Sequence, residues 1–144
     1  MSAQTIVRLD TKELDRIAAK LGKTRDDICR GAAFAVEGEA KAKIASYPTI
    51  DTGAYMNSVY VVTQNEDHFG EAKADVAQLN PDAQTTAHPI PSGNIIAHVG
   101  PCVEYAEYVE LGTGRMSARP ALVPAVETVG RKFGDGTYWR ELCK

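Results

Sequence analysis

The sequence predicts an α+β fold in which N-terminal helices pack on a small antiparallel sheet and a C-terminal helix closes the domain. Three observations carry that prediction. Apolar residues recur at helical spacing before residue 47, two β-branched runs stand in the middle of the chain, and a helical stripe returns after residue 119. With 144 residues the chain has the length of one domain. Its 44% hydrophobic and 24% charged content is that of an ordinary globular protein.

The elements follow in order. Asp10 is an N-cap candidate, Glu13 stands three residues on, and Leu14, Ile17, Ala18 and Leu21 share a helical face, so a first short helix is expected over residues 11–21. Gly22 ends it. Thr24 then caps a longer helix with Asp27 near its positive end and Ile28, Ala32, Ala35, Val36, Ala40 and Ile44 on its apolar side. Alanines bury little area each, so this helix needs large residues opposite it. Phe34 falls on its polar side and is a candidate partner contact.

Tyr47-Pro48 closes the helix, because the residue before proline is pushed out of the helical region. "SVYVVTQ", residues 58–64, and "NIIAHVG", residues 94–100, read as an antiparallel pair. Residues 65–93 between them are polar and proline-punctuated, which predicts a mobile insert outside the core, with room for a short helix around Glu71–Leu79. A third helical region is expected within residues 102–114, where Tyr105, Tyr108 and Val109 share one side and Glu104, Glu107 and Glu110 fall at steps of three. That spacing predicts a solvated acidic face. Last, Leu122, Val126, Val129 and Phe133 form the stripe of a C-terminal helix, with Pro120 at its start and Pro124 either bending it or marking its true first turn. Tyr138 and Trp139 are expected to cap its end.

Charge and cysteine usage narrow the function classes. Residues 1–111 hold 10 Lys/Arg and 16 Asp/Glu, a net of −6, whereas residues 112–144 hold 6 and 3, a net of +3. Such polarity can steer one copy of a protein onto the next. The three cysteines, Cys29, Cys102 and Cys143, show no paired spacing, which predicts unpaired thiols in a reducing compartment. The opening "MSAQTIVRLD" has neither the basic start nor the apolar centre of an export signal. No apolar run approaches the roughly 20 residues a membrane helix requires.

Several short motifs resemble chemistry. Asp51-Thr52-Gly53 matches the opening of a viral aspartic peptidase, in which two chains each supply one aspartate and share a proton. That chemistry needs a buried strand running into the motif, and here a long helix and Tyr-Pro precede it, so a structural turn at Asp51, Thr52 and Gly53 is expected. "LGTGR", residues 111–115, lacks the preceding strand and the Lys-Ser/Thr pair of a phosphate loop and reads as a glycine helix stop. His68, His88 and His98 lack metal-ligand spacing. Arg115, Arg119, Arg131 and Lys132 have no interleaved aromatics or recognition helix for reading nucleic acid. No catalytic, metal or cofactor site is expected.

The order of features resembles a known family. "IDTGAYMNSV", a β-pair around a variable insert, Val99-Gly100, Tyr105-Ala106 with Val109-Glu110-Leu111-Gly112-Thr113, and Arg119-Pro120-Ala121-Leu122-Val123-Pro124-Ala125 together look like the tail-component family of long-tailed bacteriophages. The resemblance spans roughly residues 24–130. It implies a non-enzymatic structural subunit of the virion neck that completes the tail and joins it to the head connector. A tail terminator or head-closure ring is the alternative within the class, and the homodimeric aspartic peptidase the alternative outside it. Implied partners are copies of the chain in a ring, six by analogy with tail symmetry, and neighbouring neck proteins, with passive contact to DNA in the channel. The expected subunit contact lies within residues 104–125 and includes Tyr105, Tyr108, Glu110, Arg115 and Arg119, with Phe34 as a further contact.

Overall fold

The computed structural model describes residues 5–8, 12, 15, 16, 19, 20, 25–47, 53–91 and 96–142. Its elements are β1 (Thr5–Arg8), α1 (Arg25–Ser46), α2 (Ala54–Ser58), β2 (Val59–Val62), α3 (Phe69–Leu79), β3 (Ile96–Pro101), α4 (Ala106–Leu111), α5 (Leu122–Asp135) and α6 (Thr137–Leu142). The α+β class and the C-terminal helix predicted by the sequence are observed. Of the helix expected over residues 11–21, Lys12, Asp15, Arg16, Ala19 and Lys20 are helical and exposed, and its other positions lie outside the described residues.

The expected β-pair is present. β2 and β3 run antiparallel with Val59 opposite Pro101, Val61 opposite Val99 and Val62 opposite His98. β1 adds a third strand on the other side of β3, with Thr5 opposite Val99 and Arg8 opposite Ile96, so the sheet order is β1-β3-β2. "TIVR" is too short for alternation to distinguish it from a loop, and only the register with β3 defines it as a strand.

Both faces of the sheet are covered. On one face Val59, Val61, Ala97 and Val99 pack against Cys29, Ala33, Val36, Ala40 and Ile44 of α1 and Leu122, Ala125 and Val129 of α5. The alanines of α1 admit close approach, and the valines and Leu122 opposite them provide the bulk. On the other face Tyr60 and Val62 pack against Phe69, Ala72 and Val76 of α3 and against Cys102, Val103 and Ala106. All of β2 is therefore buried, which is why "VYVV" reads as a continuous apolar run instead of an alternating one.

That second core corrects the reading of residues 65–93 as a polar insert outside the core. Phe69, Ala72 and Val76 stand at i, i+3 and i+7 within an otherwise polar stretch, and those three positions suffice to seat α3 on the sheet. The chain then returns along the segment after β3. Thr85 bridges Val103, the Thr86 N–H donates to the Cys102 carbonyl at 2.7 Å, and the Glu104 N–H donates to the Gln84 carbonyl at 2.9 Å. This pairing occupies residues 102–104 and delays the third helical region, so that α4 begins only at Ala106.

The C-terminal stripe is also shifted. Leu122, Ala125 and Val129 are buried and Phe133 packs beside them, whereas Val126 is exposed. Pro124 is the third residue of α5, within the first turn, where the proline nitrogen forfeits no intrahelical bond, and this resolves it as a helix start. Tyr138 of α6 caps the domain as expected. Its ring stacks on Phe133 with centroids 4.2 Å apart, and its hydroxyl donates to the Ile28 carbonyl at 3.1 Å. The side chain of Trp139 lies outside the described residues. Cys29 and Cys102 are buried free thiols, and burial pushes the Cys29 thiol up to about 11. Cys143 lies outside the described residues.

His98 occupies the central strand, where it is half-buried and its Nδ1 is enclosed with no hydrogen-bond partner among the described residues. Burial lowers its pKa below the ordinary value of 6.5. The unfolded chain then holds more protons than the folded one as pH falls through 6.5, so acid removes stability through this residue. The expected result is a thermal midpoint that drops further between pH 7.5 and 5.5 in the wild type than in His98→Gln. Equal drops in the two proteins would show that His98 carries none of the acid sensitivity.

Candidate functional site

The segment joining α4 to α5 is where the expected contact residues converge, and one buried carboxylate organises it. A helix begins with backbone N–H groups that lack intrahelical acceptors, and Ala121 at the N-cap of α5 has no side-chain acceptor to offer. Glu110 supplies it from the preceding helix. Its Oε1 accepts from the Ala121 N–H at 2.7 Å, the Leu122 N–H at 2.8 Å and the Tyr55 hydroxyl at 3.4 Å. The negative charge also lies at the positive end of the α5 dipole. Burial, reinforced by the adjacent Glu110 carboxylate, holds the Tyr55 phenol well above its usual value and so keeps it a protonated donor.

The loop beyond Glu110 is pinned along its length. Gly112 turns the chain with φ 77° and ψ 172°, and its N–H donates to the Tyr108 carbonyl at 2.8 Å. Thr113 Oγ1 accepts from the N–H groups of Arg115 and Met116 at 3.2 and 3.1 Å, while the Thr113 N–H donates to the Met116 carbonyl at 2.8 Å. The Arg119 N–H reaches the Val109 carbonyl at 2.7 Å. Finally, the Tyr47 hydroxyl donates to the Pro120 carbonyl at 2.8 Å and fastens the junction to the C-terminal end of α1.

The outside of this junction exposes apolar side chains. Tyr108 is 61% exposed, Leu111 56% and Val123 60%, and residues 111–126 contain Arg115 and Arg119 but no carboxylate. Tyr108 and Arg115 thus reach the surface as expected, and Arg119 is half-buried. Tyr105 is half-buried, packed against Tyr55 with ring centroids 6.2 Å apart. Glu110 is a correction, because its carboxylate is committed to an internal cap and is unavailable to a partner. The acidic face expected from Glu104, Glu107 and Glu110 does not form, since Glu104 precedes α4 and is exposed while Glu110 points inward. Leu111 and Val123 join the surface unannounced by the sequence. Their only signal was that each falls off the buried stripe of its own helix.

Phe34 is a second correction. It is half-buried against the first core, meets His68 edge-on at 5.6 Å, and has the Arg30 guanidinium 4.8 Å above its ring. It belongs to the opposite end of α1, where Arg30 Nε donates to Glu66 Oε2 at 2.8 Å and that bond holds the Glu66 carboxyl below the usual range. Here too His88 Nε2 lies 2.6 Å from Asp67 Oδ2, which ties the segment after α3 to the β2–α3 turn, and His68 Nδ1 lies 3.2 Å from Glu71 Oε2. Shallow depressions flank this turn, one toward Asp26, Asp27 and Cys29 and the other toward Pro89, Ile90 and Pro91. Among the described residues, no group of three or more His, Cys, Asp or Glu side chains converges in a way that could hold a metal. No helix among them is long and apolar enough to cross a membrane.

Asp51 and Thr52 of the peptidase-like motif lie outside the described residues. Gly53 is described, in the left-handed region with φ 77° and ψ 0°, at the N-cap of α2, and its carbonyl accepts from Asn57 Nδ2 at 2.9 Å. The nearest described elements on both sides of the motif are the helices α1 and α2, not the paired strands that an aspartic dyad requires. No family model, curated protein or solved structure matches this chain.

Proposed function

We propose that this chain is a non-enzymatic structural subunit of the neck of a long-tailed bacteriophage, which completes the tail and joins it to the head connector. The observation that carries this reading is the α4–α5 junction. The stretch with the most distinctive resemblance to phage tail components, Tyr105–Thr113 with Arg119–Ala125, spends its Glu110 carboxylate, Thr113 hydroxyl and several backbone groups on holding one loop in place, while Tyr108, Leu111 and Val123 face outward. A rigid loop that presents apolar side chains suits protein contact. In the virion the chain forms a ring, sixfold by analogy with tail symmetry, between head-side connector proteins and the tail tube or terminator. DNA passes through the channel without being read.

Electron microscopy of lysates from the parent virus or prophage lacking this gene tests the proposal. Filled heads beside unattached tails are the expected result. A defect confined to tail length would move the chain to the tail-terminator role within the same neck, and intact infectious particles would overturn the proposal.

A further inference from the structure

The link between α5 and α6 is a single glycine. Gly136 has φ 84° and ψ −3°, and a Cβ there would meet no atom within 4 Å, so the link stands in open space. Across it the Thr137 N–H donates to the exposed Asp135 Oδ1 at 2.9 Å. Within α6 the Arg140 N–H donates to the Gly136 carbonyl at 3.1 Å and the Arg140 guanidinium to the Thr137 hydroxyl at 3.3 Å. Tyr138 then fastens α6 to α1. Its hydroxyl donates to the Ile28 carbonyl at 3.1 Å, directly over Gly31, where a Cβ would stand 2.5 Å from the hydroxyl oxygen and 3.6 Å from Cζ. The absent side chain of Gly31 is therefore the notch that admits this hydroxyl. Burial pushes the Tyr138 phenol up to about 12, so it remains a protonated donor.

We infer that α6 is a latched arm, which opens as a unit about Gly136 when Tyr138 leaves the notch at Gly31, while α1 and α5 stay folded. Opening leaves no buried polar group on α1 unsatisfied. The Ile28 carbonyl lies inside α1, where the helical pattern already gives it the Ala32 N–H, so it loses only a second donor. The freed hydroxyl meets water, and exchanging one such bond for the other changes the free energy little. The stack of Tyr138 on Phe133, with ring centroids 4.2 Å apart, is what the closed arm gains in apolar contact. Gly136 can leave its left-handed conformation without strain, since glycine accepts either sign of φ. A helix of six residues does not hold its shape without a body to pack on, so the open arm is a pliable segment over residues 137–142. Opening uncovers the ring face of Phe133 and the notch. The arm belongs to the single chain and does not rest on the neck reading.

Amide hydrogen exchange and thermal melts of the full-length chain, with Gly31→Ala, Tyr138→Phe and the double variant, test this. In the wild type the Arg140 amide is expected to exchange at least about tenfold faster than interior amides of α1 and α5, at a rate that low denaturant does not change. Gly31→Ala fills the notch and ejects the arm. Its Arg140 amide is expected to exchange about tenfold faster again, while the thermal midpoint holds or rises, because alanine replaces glycine inside a helix. Adding Tyr138→Phe to Gly31→Ala removes the clashing oxygen and leaves Cζ at an ordinary contact distance, so protection of the arm is expected to return to that of Tyr138→Phe alone. Three results would each overturn the inference. One is an Arg140 amide that exchanges only with global unfolding. Another is a Gly31→Ala chain that fails to fold, melts lower with uniformly faster exchange, or keeps the wild-type protection at Arg140. The last is a double variant whose arm stays as open as in Gly31→Ala.

Discussion

Gly112→Ala lowers the stability of the folded chain by about 3–5 kcal/mol, the largest effect expected of any single-methyl addition here. Two costs combine. With φ 77° and ψ 172°, Gly112 occupies a backbone region that is essentially closed to residues with a side chain. In addition, a Cβ there would stand 2.7 Å from the Ala118 nitrogen and 3.0 Å from the Met116 carbonyl oxygen. Both are backbone atoms of a loop pinned at Thr113, Arg119 and Pro120, so the neighbours cannot withdraw without breaking those bonds. For a chain of this size the thermal midpoint is expected to fall by about 10 °C or more. Gly53→Ala is the control. Its φ is also 77° but its ψ is 0°, in the left-handed region, and the added Cβ would meet only Asn57 Nδ2 at 3.5 Å. That substitution is expected to cost about 1 kcal/mol. Equal losses in the two variants, read by denaturant melts, would show that the close packing at Gly112 contributes nothing.

Glu110→Ala is expected to cost about 3 kcal/mol, because it leaves the Ala121 and Leu122 N–H groups and the Tyr55 hydroxyl without their common acceptor in a buried site. Glu110→Gln separates the hydrogen bonds from the charge. A glutamine retains an oxygen acceptor but loses the charge at the start of α5, and its expected cost is about 1 kcal/mol. If the alanine variant melts like the wild type, the cap is not what holds α4 and α5 together. If the glutamine and alanine variants are equally destabilised, the charge carries the effect and the acceptor geometry does not.

Glu110 also shows where sequence reasoning reaches its limit. Glu104, Glu107 and Glu110 at steps of three read as a solvated face, because within one helix a carboxylate at that spacing has no reason to turn inward. The reason lies in another element, eleven residues on, where α5 starts at an alanine that cannot cap itself. Phe34 illustrates the same limit from the other side. It lies on the polar side of α1 and was a candidate for an outside partner, but the β2–α3 turn brings His68 over it. In residues 65–93 a high polar content outweighed three apolar positions, although those three alone hold α3 on the second face of the sheet.

By itself the sequence determined the elements whose signal is local. These are the 22-residue helix α1, the β2–β3 pair and its antiparallel direction, the C-terminal helix, the glycine stop after Leu111 and the α+β class. Periodicity, proline and glycine act over a few residues, and the chain records them directly. Only the tertiary structure decided the third strand β1, the burial of both sheet faces and the inward turn of Glu110. Each depends on groups far apart in sequence, and a buried polar group takes its conformation from whichever distant partner satisfies it.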